Sequence, residues 1–107
     1  MNRFIAGVGA LPIATSAWAW QQTGAGTITY LGSGWNADSI FVATTAAQLS
    51  GTGCASSAYY ATDPTSAERK AHHAVLLMAH ATGKAVVITV DGCYGNYPRI
   101  IGVGMAG

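Results

Sequence analysis

Charged residues are scarce in this chain of 107 residues. Only 8% of them are Asp, Glu, Lys or Arg, and the formal net charge is +1. A nucleic-acid-binding domain needs a basic surface to neutralise phosphates, so this balance speaks against nucleic acid as a partner. Because 50% of the residues are hydrophobic, the composition also excludes a disordered chain.

Long apolar runs and catalytic patterns are missing as well. No apolar stretch reaches the length of about 20 residues that a membrane-spanning helix needs. The four carboxylates, Asp38, Asp63, Glu68 and Asp91, are well separated in sequence, so none forms an evident acid–base pair. No serine lies in a nucleophile-elbow pattern. We therefore expect neither enzymatic activity nor a cofactor.

The first nineteen residues have the three-part pattern of a secretory signal. Arg3 supplies the positive start, residues 4–16 are mostly small and apolar, and Ala17 and Ala19 occupy the positions that a signal peptidase reads. The pattern predicts cleavage after Ala19 and export to the periplasm or the medium. Residues 20–107 would then form one small domain.

Only two cysteines are present, Cys54 and Cys93. In an exported protein such a pair is more typical of a structural disulfide than of a redox or metal site. The bridge would close a loop of about 40 residues, which corresponds to roughly 4 kcal/mol of stabilisation in the chain-entropy model.

The hydrophobic pattern predicts five strands and one helix. β-branched and aromatic residues mark strands at 27–31, 39–45, 54–60, 85–90 and 99–104. A helix begins either at a capping box of Thr65 and Glu68 or with Asp63 as the N-cap residue and Pro64 in the first turn. Gly83 is the expected left-handed end of this helix.

The predicted helix carries an apolar face and all three histidines. The face comprises Ala71, Ala74, Val75, Leu77, Met78, and Ala81 or Thr82. No two of His72, His73 and His80 are four residues apart, so we expect no metal site.

Three strands, one helix and two further strands are compatible with two architectures. We predict a β-dominated α+β domain: a five-stranded barrel like the OB-fold, with its helix between strands 3 and 4. An open α+β sheet with the helix on one face is the competing interpretation. Short strands with glycines near their ends favour the barrel.

Two stretches of the chain resemble a known family. The sequence SAERKAHHAVLLMAHATGKAVVITVDGCYGNYPRI, residues 66–100, and the sequence ITYLGSGWNADSIFV, residues 28–42, are similar to the B subunits of subtilase-cytotoxin-like and pertussis-like toxins. The most specific pieces are Thr82-Gly83-Lys84-Ala85-Val86 and Tyr97-Pro98. The resemblance implies an OB-fold, a homo-oligomer such as a pentameric ring, a toxin A subunit as partner, and recognition of cell-surface glycans.

One position departs from that family. In the toxin subunits a serine of the first hairpin contacts the sugar, and matching through Phe41 places Asp38 there, with Ser39 one step away. The carboxylate of Asp38 would repel that of sialic acid, so if Asp38 faces the site we expect a neutral sugar as ligand, or none.

Two aromatic loops are the candidate ligand-binding elements. Trp35, Asn36, Asp38 and Ser39 lie in the first loop; Tyr94, Asn96 and Tyr97 lie in the second, next to Cys93. Aromatic rings beside amide and hydroxyl groups suit carbohydrate, and we predict that the two loops form two halves of one shallow site. The alternative is that these side chains only stabilise turns and cover the core, in a domain that binds another protein.

Overall fold

The fold is described by a computed structural model for residues 20–34 and 36–106. The predicted signal segment, residues 1–19, lies outside the described residues, as does Trp35. In chain order the elements are β1 (Gln21–Gln22), β2 (Ile28–Ser33), β3 (Ile40–Thr44), β4 (Tyr60–Thr62), α1 (Arg69–Thr82), β5 (Val86–Tyr94) and β6 (Tyr97–Met105).

The strands form one six-stranded mixed sheet in the order β1-β5-β6-β4-β3-β2. The prediction of a closed five-stranded barrel is therefore wrong, and the fold is a mostly β, open sheet with one helix. The N-terminal segment pairs in two pieces, β1 with β5 and β2 with β3. Between them, residues 23–27 belong to no strand and contribute an isolated bridge from Gly26 to Val86, together with hydrogen bonds of Thr23 to Ile88 and of Thr27 to Thr45. This interruption leaves β1 and β2 as the two edges of the sheet.

The third strand differs most from its sequence prediction. Residues 54–59 belong to a long connection, and β4 comprises only Tyr60–Thr62. β4 is antiparallel to β3 but parallel to β6, with Ala61 opposite Arg99. This parallel pairing joins parts of the chain that are distant in sequence, so local patterns carry no sign of it.

Helix α1 begins later than either predicted cap. The Asp63 carboxylate accepts hydrogen bonds from the backbone N–H (2.8 Å) and the hydroxyl (2.7 Å) of Thr65, so it stabilises the turn before the helix. Glu68 is the N-cap residue, with no capping side-chain hydrogen bond. The predicted end is confirmed: Gly83 is left-handed, and the Lys84 N–H donates to the Ala79 carbonyl at 3.0 Å.

The apolar helix face was assigned to the wrong side. The buried helical residues are His72, Leu76 and Ala79, whereas Leu77 and Met78 are 54% and 56% exposed. The core lies between this helix face and the sheet, and its members are Val42, Tyr60, Leu76, Ala79, Val86, Ile88, Val90 and Ile100. Alternate residues of β5 enter it, as expected for a strand with one covered face.

The predicted disulfide is confirmed. Cys54 and Cys93 are bonded, with 5.8 Å between their Cα atoms, which joins the connection before β4 to the end of β5. No helix within residues 20–34 and 36–106 has the length and apolar character needed to cross a bilayer.

Candidate functional site

The two predicted ligand loops meet at one cleft, which we call the loop cleft. Its volume is about 400 Å³. The connection from β2 to β3 and the start of β3 contribute Gly34, Ala37, Ser39 and Phe41. The turn between β5 and β6 contributes Tyr94, Gly95, Asn96 and Tyr97. Four of the seven predicted site residues, Ser39, Tyr94, Asn96 and Tyr97, therefore line a common cavity.

A second cleft adjoins the first. This tyrosine cleft has a volume of about 290 Å³ and is lined by Tyr30, Ser33, Phe41, Tyr59 and Tyr97. Phe41 and Tyr97 line both clefts. Their rings are in edge-to-face contact, with centroids 5.1 Å apart, and together form the boundary between the two cavities.

Strand register explains why these rings share one face of the sheet. Tyr30 lies two residues before Gly32, which pairs with Phe41, and Phe41 pairs with Ala61. Side chains two residues apart in a strand point to the same face. Tyr97 lies two residues before Arg99 in β6, and Arg99 pairs with Ala61, so the Tyr97 ring is on the same face. Tyr59 is the last residue of the connection before β4, and its ring joins the row through its neighbours. Ring centroids are 4.8 Å apart for Tyr30–Tyr59 and 6.2 Å apart for Tyr59–Tyr97.

Two cross-links hold the second loop in place. β5 and β6 are joined by a tight turn in which Tyr94 pairs with Tyr97. The disulfide at Cys93 ties this hairpin to the connection before β4. In the same connection, the Ser56 backbone N–H donates to the carbonyl of Asn96, which lies in the turn between β5 and β6, at 2.7 Å. The aromatic side of the loop cleft is thus fixed by covalent and hydrogen bonds.

Ser39 is the buried polar residue of the loop cleft. Its side chain is almost completely buried, and its Oγ has no hydrogen-bond partner among residues 20–34 and 36–106. The backbone around it is well bonded, because the Ser39 carbonyl accepts from Gly34 N–H at 2.7 Å and the Ser39 N–H donates to the Ala37 carbonyl at 2.9 Å. A buried hydroxyl without a partner costs free energy of folding.

Asp38 points to the helix instead of lining a cleft. Its carboxylate lies 2.6 Å from Nη1 of Arg69 and 4.0 Å from Nδ1 of His73. The other ring nitrogen of His73 is 2.7 Å from the Thr62 hydroxyl, which also accepts the Ile40 N–H at 2.8 Å. Burial lowers the pKa of His73, and the nearby Asp38 carboxylate partly opposes that shift.

The charged groups collect away from the two clefts. None of the residues that line the loop cleft or the tyrosine cleft carries a charged side chain. A separate cleft of about 330 Å³ near the start of α1 is lined in part by Asp63, Glu68 and Arg99. There Nη1 of Arg99 lies 3.8 Å from the Asp63 carboxylate, and the hydrogen bonds from Thr65 lower the pKa of Asp63.

The remaining predicted residues have other positions. Asn36 is exposed in a left-handed conformation (φ 58°), which asparagine tolerates better than most residues, and it lines neither cleft. Trp35 lies outside the described residues. Within those residues, no three His, Cys, Asp or Glu side chains are grouped as metal ligands.

Sequence reasoning missed Tyr30, Phe41 and Tyr59 as part of the site. They were assigned to strands, and only the cross-strand register brings their rings together. The sequence signal that could have found them is that each of the first three predicted strands carries a bulky aromatic residue, which could face those of the neighbouring strands. Comparison with family models, with curated proteins and with solved structures returned no match.

Proposed function

We propose that this protein is an exported carbohydrate-binding module whose ligand enters the loop cleft. The observation that carries the proposal is the convergence of two distant loops on one uncharged cavity. That cavity combines the rings of Phe41, Tyr94 and Tyr97 with the amide of Asn96.

The chemistry of the cleft suits a sugar ring. Aromatic rings cover the apolar C–H faces of a pyranose, while a small number of placed polar groups bond its hydroxyls. The Ser39 hydroxyl is buried in the wall of the cleft, so the side-chain amide of Asn96, which is exposed, is the group placed to bond a sugar hydroxyl. The disulfide and the bond from Ser56 to Asn96 hold the second loop before binding, so little ordering free energy is lost.

Export and self-association belong to the same proposal. The disulfide suits an oxidising compartment such as the periplasm or the medium. β4 pairs with β6 only at Arg99 and Ile100, so residues 101–105 have a strand neighbour on one side alone within the described chain. Ile101 and Met105 are exposed there. A second copy pairing at this edge would build a homo-oligomer, as in the ring-forming toxin B subunits that the sequence resembles.

Several weak sites on one ring would bind a cell surface by avidity. A shallow cleft buries little ligand area, so binding at each site is expected to be weak. Sedimentation of residues 20–107 at tens of micromolar tests the assembly. A single monomeric species would contradict the oligomer and leave the cleft to act alone.

A protein-interaction module is the second candidate. Leu77 and Met78 expose more than half of their side chains on one side of α1, and exposed apolar side chains that adjoin one another are typical of contact surfaces. This candidate requires no sugar site. It predicts that replacing Asn96 has no effect on binding, whereas Leu77→Ser with Met78→Ser abolishes partner capture.

A glycan array with matched variants tests the proposed function. Wild-type protein is compared with Asn96→Ala and Tyr97→Ala, and with Gln48→Ala as a control that changes an exposed amide outside the clefts. We expect Asn96→Ala and Tyr97→Ala to lose at least tenfold in signal while the control keeps it. Wild-type protein that binds no glycan would end this proposal and leave the interaction module.

A further inference from the structure

The geometry points to a groove for a neutral oligosaccharide of at least two sugar rings, and not for a single terminal sugar. The loop cleft would hold one ring and the tyrosine cleft the next, with Phe41 and Tyr97 between them. This inference rests on the proposed function, because it extends the same site by a second subsite.

Continuity of the two cavities is the first argument. They share Phe41 and Tyr97, and each has roughly the volume of a small-ligand pocket, about 300 Å³ and upward. A ligand confined to the loop cleft would leave Tyr30 and Tyr59 uncovered. Tyr30 is 47% exposed, although its ring belongs to a row of aromatic contacts that ends at the loop cleft.

The way Tyr30 is held is the second argument. A Cβ added at Gly32 would lie 2.8 Å from Cζ of Tyr30, so the ring lies across the backbone of residue 32. The glycine therefore lets a large ring lie along the strand beside Tyr59. A ring in this position offers a flat platform next to the hydroxyl-bearing Ser33, which is the combination that a second pyranose needs.

The absence of charge among the lining residues argues for a neutral ligand. A bound carboxylate loses hydration and needs a cation or several hydrogen-bond donors in return. Neither cleft has a Lys or Arg in its lining. Arg69, which contacts the loop between β2 and β3, is already paired with Asp38 at 2.6 Å.

The test is an array that carries the same neutral cores as mono-, di-, tri- and tetrasaccharides, each with and without terminal sialic acid. We expect wild-type protein to bind neutral chains of two or more rings at least tenfold better than the monosaccharides, with no gain from sialic acid. Tyr30→Ala should lower the binding of the longer oligosaccharides to the level of the monosaccharides. Tyr30→Phe should bind the longer oligosaccharides as wild type does. Asn96→Ala should weaken the binding of oligosaccharides of every length.

The possible results distinguish failure of the two-ring groove from failure of the proposed carbohydrate-binding function. Binding of monosaccharides as strong as that of longer chains, or binding that requires sialic acid, would overturn the two-ring neutral groove while keeping the carbohydrate module. An unchanged chain-length profile in Tyr30→Ala would overturn it too. A circular dichroism spectrum that matches wild type shows that a variant is folded, so that its loss of binding reflects the second subsite. Gly32→Ala must displace the Tyr30 ring, and we expect it to have the same dependence of binding on oligosaccharide length as Tyr30→Ala. No binding to any glycan would remove both proposals.

Discussion

The carboxylate of Asp38 lies 2.6 Å from the guanidinium of Arg69, which ties the loop between β2 and β3 to the first residue of helix α1. The loop cleft depends on this link, because Ser39 follows Asp38 directly. Asp38, which we predicted from the sequence to bind ligand, instead positions its neighbour Ser39 through this ion pair.

The Asp38–Arg69 pair is expected to contribute measurably to stability. The Asp38 side chain is 65% exposed, but that of Arg69 is only 18% exposed, so solvent screens the pair incompletely. A double-mutant cycle of Asp38→Ala and Arg69→Ala, followed by urea unfolding, should give a coupling free energy of about 1 kcal/mol. The same cycle with the exposed neighbour Lys70→Ala is the control. Additivity in both cycles would contradict a structural role for the pair.

Acidification should destabilise the fold through the buried histidines. Burial lowers the pKa of His72 and of His73 below the ordinary 6.5. The unfolded chain therefore takes up protons first, so stability present above about pH 6.5 is lost as pH falls toward the folded-state pKa values. His72 Nε2 is buried and has no partner among the described residues.

Replacement of His72 isolates its share of that pH dependence. His72→Met should reduce the fall in melting temperature between pH 7 and pH 5, since the buried imidazole of residue 72 is removed while His73 keeps its own contribution. His80→Met changes an exposed histidine of the same helix and should leave the profile as in wild type. Identical slopes in wild type and His72→Met would show that His72 does not contribute.

The sequence predicted the local features well and the long-range ones poorly. The left-handed end of α1 at Gly83, the disulfide, and four of the strand positions are set by residues close in sequence or by a unique cysteine pair. The barrel failed because residues 23–27 interrupt the first strand. The row of Tyr30, Phe41 and Tyr59 could not be found, because it depends on the register between β2, β3 and β4, and only the parallel pairing of β4 with β6 brings Tyr97 to it.

Gly34 should be intolerant of a side chain for a reason specific to the loop cleft. A Cβ at residue 34 would lie 3.1 Å from Cε2 of Phe41 and 3.2 Å from Cβ of Ser39, and both residues line the cavity. We expect Gly34→Ala to lower the unfolding free energy by about 1 kcal/mol and to reduce glycan binding. Gly24→Ala, where a Cβ meets nothing within 4 Å, is the control. Full binding by a folded Gly34→Ala protein would contradict this account of the cleft.

The disulfide should matter both for stability and for the shape of the site. Cys93 immediately precedes Tyr94 of the loop cleft, and its bridge to Cys54 closes a segment with a sequence separation of 39. Removing such a cross-link enlarges the conformational freedom of the unfolded chain, so Cys54→Ala with Cys93→Ala should cost roughly 4 kcal/mol of unfolding free energy. Urea unfolding with and without reductant measures this cost.

The double cysteine variant also controls for the reductant, because it has no bond left to reduce and its unfolding curve should not move. Binding gives a second reading of the same change. When the bridge is absent, only the Ser56–Asn96 hydrogen bond remains of the two cross-links that hold the β5–β6 turn. Binding by the still-folded variant should fall because Asn96 is less well positioned. If wild type and the double cysteine variant differ by less than about 1 kcal/mol in unfolding free energy and bind glycan equally, the bridge neither stabilises the fold nor positions the turn.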